Sequence, residues 1–191
     1  MAAADRSRAR RTLLILALMC AAPVIASYLA YYWFRPGART NYGELLDPKP
    51  TPDAVGTRLD GERFKLSELR GKWVLLAIDP SGCDDECRGK FYATRQARAI
   101  QGREQDRIVR VWVQGVDAPA PASDLLEQHP GLIVVRLDAA QWALLPEAAM
   151  GSRRIYLIDP LGNLVLAYPA SPDIKRMARD LERLLRASRI G

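Results

Sequence analysis

Two cysteines separated by three residues can carry chemistry in this sequence. Cys83 and Cys87 follow an apolar run, and the residues between them, Asp84, Asp85 and Glu86, are all acidic. A spacing of four places both sulfurs on one face of a helix, with Cα atoms about 6 Å apart, within reach of a disulfide. The same pair can present two thiolates to a soft ion such as Cu(I). The residues therefore leave three kinds of site open: a redox couple, a metal clamp or a structural disulfide.

The pair lies where a predicted strand ends and a predicted helix begins. Residues 72–79 form an almost continuous apolar run, which is typical of a strand buried on both faces. Residues 80–82 break this strand, and helical character runs from Cys83 to about Ile100. Ligands and chemistry gather at the carboxyl ends of strands in open α/β sheets, so this position favours a functional site.

The remaining elements predict the fold that holds the pair. Strands and helices alternate along the chain, and an antiparallel hairpin and an amphipathic helix close it. This order predicts an α/β fold: a thioredoxin-like mixed sheet flanked by helices. The predicted elements are a hairpin turning at Asp60–Gly61, strands at 108–113 and 132–137, helices at 122–128 and 139–149, a hairpin over 154–168 and a helix over 173–190.

The N-terminal segment predicts a membrane anchor. Residues 13–34 are 22 uncharged residues, and about 20 suffice to cross the hydrocarbon core. Arginines precede this run and aromatic residues end it, so we expect an uncleaved helix with a cytoplasmic N-terminus rather than a cleaved signal peptide. Cys20 is interpreted as an apolar filler. The predicted domains are a basic N-terminus (1–12), a transmembrane anchor (13–34), a proline-rich linker (35–54) and a thioredoxin-like domain (55–191).

The predicted orientation decides the compartment of the cysteine pair. It places the domain in the periplasm, on the inner membrane, where disulfides can persist. The formal net charge is +6, but the first eleven residues carry four of the arginines. The remaining balance gives no basis for nucleic-acid binding.

The C-x3-C site resembles that of the Sco/SenC family. The segment from Cys83 to Cys87 matches both cysteines and the middle aspartate of the family motif C-P-D-V-C, and residues 156–162 (YLIDPLG) resemble its strand–turn segment. Members are membrane-anchored thioredoxin-like proteins that help to build the copper site of cytochrome oxidase. The resemblance implies that Cys83 and Cys87 bind copper or exchange disulfides, with Cys83 attacking and Cys87 resolving. It also implies a cytochrome oxidase subunit or another assembly factor as the partner.

One departure from the family concerns the third copper ligand. The family's histidine falls here on Gly151, and the only histidine, His129, is predicted to be a surface or turn residue. Met150 is a candidate thioether donor for Cu(I), although the sequence favours a core or rim position for it over a ligand role. Two alternatives therefore stay open: a general thiol–disulfide oxidoreductase, and a non-catalytic interaction module that has lost its metal site.

Other thiol families fit less well. Thioredoxin-type reductases carry C-x-x-C and a later cis-proline, whose position holds Arg153 here, and a zinc site would need four ligands. The three carboxylates oppose the helix dipole, with Arg88 and Lys90 predicted to compensate in part. We therefore expect no strongly acidified cysteine.

Overall fold

The computed structural model describes residues 2–33, 41–145 and 153–188, which fall into two units, Met1–Thr40 and Asn41–Gly191. The first unit contains helix α1 (Ala2–Trp33). Its stretch from Arg10 to Tyr32 is long and apolar enough to cross a membrane, judged by length and composition. Cys20 lies in this helix as an exposed free thiol.

The second unit contains eight strands and four helices within the described residues. The strands are β1 (Glu44–Pro50), β2 (Val55–Arg58), β3 (Arg63–Lys65), β4 (Trp73–Ile78), β5 (Ile108–Gly115), β6 (Leu132–Leu137), β7 (Ile155–Ile158) and β8 (Asn163–Tyr168). The helices are α2 (Asp85–Ala99), α3 (Ser123–Gln128), α4 (Ala139–Trp142) and α5 (Ile174–Ala187).

All eight strands form one mixed sheet, in the order β1-β8-β7-β4-β5-β6-β2-β3. Strands β4, β5 and β6 run parallel, whereas β7 pairs antiparallel with both β4 and β8. The thioredoxin-like fold predicted from the element order is confirmed. The parallel centre places the carboxyl ends of β4, β5 and β6 at one edge, and the cysteine pair follows β4 there.

Strand β4 is buried along its whole length, as its apolar run predicts. Its side chains alternate between two cores, as the period of two in a strand requires. Leu75 packs with Met177 and Leu181 of α5 on one face. Leu76 packs on the other face with Phe64 and with the turn that follows β3. Both faces are therefore covered, which holds the end of β4 in a fixed place.

Strand β1 differs from the sequence prediction, which placed its residues in the 35–54 linker. Glu44–Pro50 instead pairs antiparallel with β8 as an edge strand. The entry to this strand is held by Asp180 of α5, whose carboxylate accepts hydrogen bonds from Tyr42 N at 2.8 Å and Gly43 N at 2.9 Å. Prolines are tolerated at a sheet edge because their missing N–H can face solvent, so the proline content was a poor guide here.

Candidate functional site

The cysteines are joined in a disulfide at the carboxyl end of β4. The Cys83–Cys87 Sγ–Sγ distance is 2.04 Å, and the Cα atoms are 5.2 Å apart. Gly82, just before Cys83, has φ +107°, a conformation that L side chains rarely adopt. A Cβ atom at Gly82 would also lie 3.0 Å from the ring of Pro119. Glycine therefore allows the tight turn that brings Cys83 to the start of α2.

The two sulfurs differ in their surroundings. Cys87 is fully buried and packs in a core cluster with Phe91, Trp112 and Leu125. Cys83 lies at the margin of this cluster and stays partly exposed. An incoming thiolate can therefore reach Cys83, while Cys87 is shielded by α2 and α3.

The amino end of α2 is closed by Asp84. Its carboxylate accepts a hydrogen bond from Cys87 N at 3.0 Å, which satisfies one of the free N–H groups of the first turn. This hydrogen bond, followed by the contact with Arg153, holds the pKa of Asp84 below its usual value. The helix therefore begins on a carboxylate that stays ionised beside the disulfide.

Arg153 forms ion pairs with two of the three carboxylates of the motif. Its guanidinium donates to the carboxylates of Asp84 and Glu86, the latter at 3.1 Å. The hydrogen bond to Asp84 raises the pKa of Arg153. Sequence reasoning noted Arg153 as the residue at the cis-proline position, but it missed this ion-pair role. The sequence did contain one indication of this role, since a cation stands at the cis-proline position of a fold whose cysteine motif is acidic.

A buried ion pair lies one helical turn beyond Cys87. Lys90 Nζ contacts Asp79 Oδ1 at 2.5 Å, and the two side chains are 0% and 4% exposed. Burial raises the pKa of Asp79, and the hydrogen bond from Lys90 opposes that effect. Lys90 was predicted to compensate the carboxylates between the cysteines. That prediction was wrong, because the ammonium of Lys90 points inward to Asp79. Asp79 directly precedes the loop of residues 80–84, which carries Cys83 and is called the redox loop.

His129 was predicted to be a surface or turn residue; it lies in the bend that follows α3, but it is not at the surface. Its side chain is buried at the end of α3, with its ring 5.7 Å from that of Phe91, centroid to centroid. Burial, followed by the nearby charges of Arg95 and Arg110, lowers the pKa of His129. Neutral imidazole is an amphipathic ring that packs well, so the position of His129 between α3 and β6 was a poor guide to its exposure.

The metal-site predictions are only partly within the described residues. Met150 and Gly151 both lie outside them. Within residues 2–33, 41–145 and 153–188, no group of three His, Cys, Asp or Glu side chains could hold a metal ion. The soft donors brought together there are Cys83 and Cys87, and Asp84 and Glu86 beside them are already engaged by Arg153.

An open cleft of about 590 Å³ begins beside the redox loop. Pro80 and Ser81 of that loop form one wall, and Val116 and Trp142 are among the residues that complete it. The cleft follows the carboxyl ends of the parallel strands, so it offers open space beside the residues that lead from β4 to Cys83.

A protein-family model matches most of the second unit. The model is described as a transmembrane-like, thioredoxin-like, C-terminal domain, and it matches residues 73–188. This range runs from β4 to the end of α5, so it includes both cysteines and Arg153. No curated protein matches the sequence significantly.

Solved structures share the fold. Copper-bound ScoI of Bradyrhizobium japonicum is 21% identical, with a TM-score of 0.56 over 72% of this chain and 99% of that chain. Copper-bound ScoI of Arabidopsis thaliana is 19% identical, with a TM-score of 0.59 over 77% of this chain and 99% of that chain. The thioredoxin domain of a thiol-disulfide oxidoreductase from Bacteroides vulgatus is 20% identical, with a TM-score of 0.58 over 74% and 99%. At these identities the likeness establishes the thioredoxin-like fold.

Proposed function

The chain belongs to the family of transmembrane-like, thioredoxin-like C-terminal domains, and from this premise we propose that it is a membrane-anchored thiol–disulfide exchange protein of the Sco type. The observation that carries the proposal is the unequal exposure of the bonded pair: Cys83 is partly exposed and Cys87 is buried. A structural disulfide closing so short a loop would contribute little stability, so its position at the strand end favours chemistry.

The exchange step follows from this asymmetry. A partner thiolate attacks Sγ of Cys83, the Cys83–Cys87 bond breaks, and Cys87 leaves with the electron pair and takes up a proton. The mixed disulfide joins Cys83 to the first sulfur of the partner. A second thiolate of the partner then attacks that first sulfur and releases Cys83 as a thiolate, which takes up a proton. The partner loses two electrons and becomes a disulfide, while this protein gains them as two thiols. The reverse sequence reduces a partner disulfide.

The charges around the pair tune this exchange. Arg153 pairs with both Asp84 and Glu86 and so reduces the negative charge that an anionic thiolate meets at the site. Asp79, with its raised pKa, and Lys90 form the polar floor behind the loop. The cleft lined by Pro80 and Trp142 would receive the partner segment that carries the reacting thiols.

We assign the partner from the Sco-type motif. It would be a cytochrome oxidase subunit or another assembly factor at the oxidase copper centre, whose cysteines must be reduced before they bind metal. Two of the similar structures are ScoI proteins with copper bound. Copper is therefore the candidate cargo: reduced Cys83 and Cys87 would supply two thiolates to Cu(I), and Met150 would supply a thioether.

The location completes the proposal. Helix α1 would cross the inner membrane once, with the N-terminus in the cytoplasm, because four arginines precede the apolar stretch. The thioredoxin-like domain would then lie in the periplasm, the compartment in which a Cys83–Cys87 disulfide persists.

Two measurements on the full chain test this function. The first equilibrates the protein with thiol redox buffers, and we expect a potential between about −270 and −120 mV, the range of exchange-active pairs. A potential below about −300 mV would identify a structural disulfide and overturn the exchange function. The second titrates the anaerobically reduced protein with Cu(I) against a chromophoric chelator.

The copper titration separates the remaining functions. One-to-one binding that is lost in the Cys83→Ser, Cys87→Ser variant supports copper handling. An exchange-active potential without copper binding would leave a general thiol–disulfide oxidoreductase. Absence of both would leave a non-catalytic interaction module, the reading that Gly151 in place of the family's histidine favours.

A further inference from the structure

We propose that the exposed face of helix α5 docks on an anionic membrane surface, with phosphate-bearing lipid headgroups as its ligands. This inference rests on the proposed anchoring by α1 and adds a second membrane contact to that single span. We define the basic face as the five cations of the helix: Lys175, Arg176, Arg179, Arg183 and Arg186.

The basic face is a compact stripe of positive charge. Helix α5 buries Met177, Leu181 and Leu185 against the sheet, and all five cations lie on the exposed side. At 3.6 residues per turn they fall within an arc of about 100°, over a length of about 16 Å. Such a stripe can face a flat surface along its whole length.

Among the described residues, little acidic charge balances the amino-terminal part of this stripe, which contains Lys175, Arg176 and Arg179. Glu182 shares the face and contacts Arg186 at 2.5 Å, and Glu104 lines the same end of the helix. At the other end, the Asp173 carboxylate is occupied as the helix cap, where it accepts from Arg176 N at 3.0 Å. The excess of positive charge therefore lies in the amino-terminal half of α5.

That half is an unfavourable place for cations within the folded chain. The positive end of the helix dipole repels Lys175 and Arg176, and Lys175 and Arg179 are like charges four residues apart. The first turn contains no acidic residue. An external anionic surface would relieve both repulsions, so the placement fits a role in binding.

The same end of α5 receives the chain from the anchor. The Arg176 guanidinium lies 4.6 Å from the centre of the Tyr42 ring, and the Tyr42 hydroxyl accepts from Asp173 N at 2.9 Å. Eight residues separate Trp33, the last described residue of α1, from Tyr42, and the nine Cα-to-Cα steps between them span at most about 30 Å. The membrane that holds α1 is thus within reach of the basic face, which favours headgroups over an acidic protein as the occupant.

Lysine footprinting of the full chain tests the docking. The protein is reconstituted in nanodiscs of phosphatidylcholine, with or without phosphatidylglycerol, and labelled with a neutral acetylating reagent. Lys175 reports on the basic face, and Lys65 of β3, at the far edge of the sheet from β1, is the internal control. We expect severalfold slower labelling of Lys175 in the anionic discs, reversed by about 0.5 M salt, and no change at Lys65.

Matched variants identify the charges responsible. Arg179→Gln with Arg183→Gln should weaken docking by about fivefold per cation removed and restore Lys175 labelling. Arg63→Gln with Arg70→Gln removes the same charge from exposed sites elsewhere and should leave the protection unchanged.

Each other outcome overturns a defined part of the proposal. Equal labelling of Lys175 in both kinds of disc, as expected for an acidic protein partner, would overturn the docking alone. Protection that persists in the Arg179→Gln, Arg183→Gln variant would do the same. Recovery of the chain free of lipid would overturn the anchor, and with it this inference, while leaving thiol exchange intact.

Discussion

Cys87 is fully buried, while its disulfide partner Cys83 is partly exposed. The bond therefore has one end at the surface and the other in a core cluster that includes Trp112. For the proposed exchange function, this relationship favours Cys83 as the attacked sulfur and predicts how each single variant behaves.

Cys87→Ser should leave a reactive Cys83 thiol, and Cys83→Ser should leave a shielded Cys87 thiol. We expect Cys83 to react with an aromatic disulfide reagent at least about tenfold faster, because access limits the reaction of a buried thiol. Stopped-flow absorbance measures both rates, with the unfolded variants as the reference for intrinsic reactivity. Equal rates in the folded variants would contradict the assignment of Cys83 as the attacked sulfur.

Arg153→Gln should slow reduction of the disulfide by glutathione, because Asp84 and Glu86 would then repel the anionic thiolate. We expect an effect of about two- to fivefold at low ionic strength, shrinking as salt screens these exposed charges. Arg154→Gln is the matched control, since Arg154 pairs with Glu44 of β1 instead. An equal slowing in both variants would show that only the overall charge matters.

Lys90→Met should destabilise the protein by about 3–5 kcal/mol at neutral pH, since it leaves the Asp79 carboxylate buried without its counter-ion. Loss of the ammonium raises the already elevated pKa of Asp79 further. The loss of stability in Lys90→Met is therefore full above the raised pKa of Asp79 in the folded variant. It fades as the pH falls towards 3.8, the ordinary pKa of aspartate, because Asp79 becomes protonated.

Urea unfolding across this pH range measures the effect of Lys90→Met. The double variant Asp79→Leu, Lys90→Met is the control, because a buried pair replaced by apolar side chains is often neutral in stability. A double variant as unstable as Lys90→Met would contradict the ion-pair explanation.

His129 should make the protein less stable in mild acid. Its pKa is lowered on folding, so the unfolded chain binds the proton more tightly. The contribution of neutral His129 to the free energy of unfolding is complete above about pH 6.5, the pKa of histidine in the unfolded chain. It is lost as the pH falls from that value towards the lower pKa of the folded state.

His129 is the only histidine of the chain, so its imidazole proton signal gives the folded pKa by NMR without assignment. Urea midpoints at several pH values, compared with His129→Gln, give the effect on stability. An NMR titration at or above 6.5 would rule out this pH dependence.

The sheet was predictable where hydrophobic periodicity is strong. Strand β4 and the face of α5 around Leu181 follow from apolar patterns that only a buried strand and an amphipathic helix satisfy. Strand β1 was not predictable, because it pairs with β8, and its entry is held by Asp180, both more than a hundred residues away.

The cysteine pair was predictable from its spacing, but its polar surroundings were not. Cys83 and Cys87 are four positions apart in the sequence, so they must lie close together in any helical turn. The contacts of Arg153 with Asp84, and of Lys90 with Asp79, depend on how separate elements meet. A charged residue is usually solvated, so sequence alone did not predict a buried partner for Lys90 and placed its charge with the carboxylates between the cysteines.

Because Cys87 is buried in the core, the redox state of the cysteine pair is coupled to the folding stability of the domain. Oxidation, reduction, folding and unfolding form a closed thermodynamic cycle, so any difference in folding free energy between the two redox forms appears as an equal shift of potential between the folded and unfolded pair. A methyl group removed beside Trp112 would therefore shift the potential of the folded pair by the amount by which it destabilises one redox form more than the other. In the proposed exchange function, the packing around Cys87 would then contribute to the potential without a change at either sulfur.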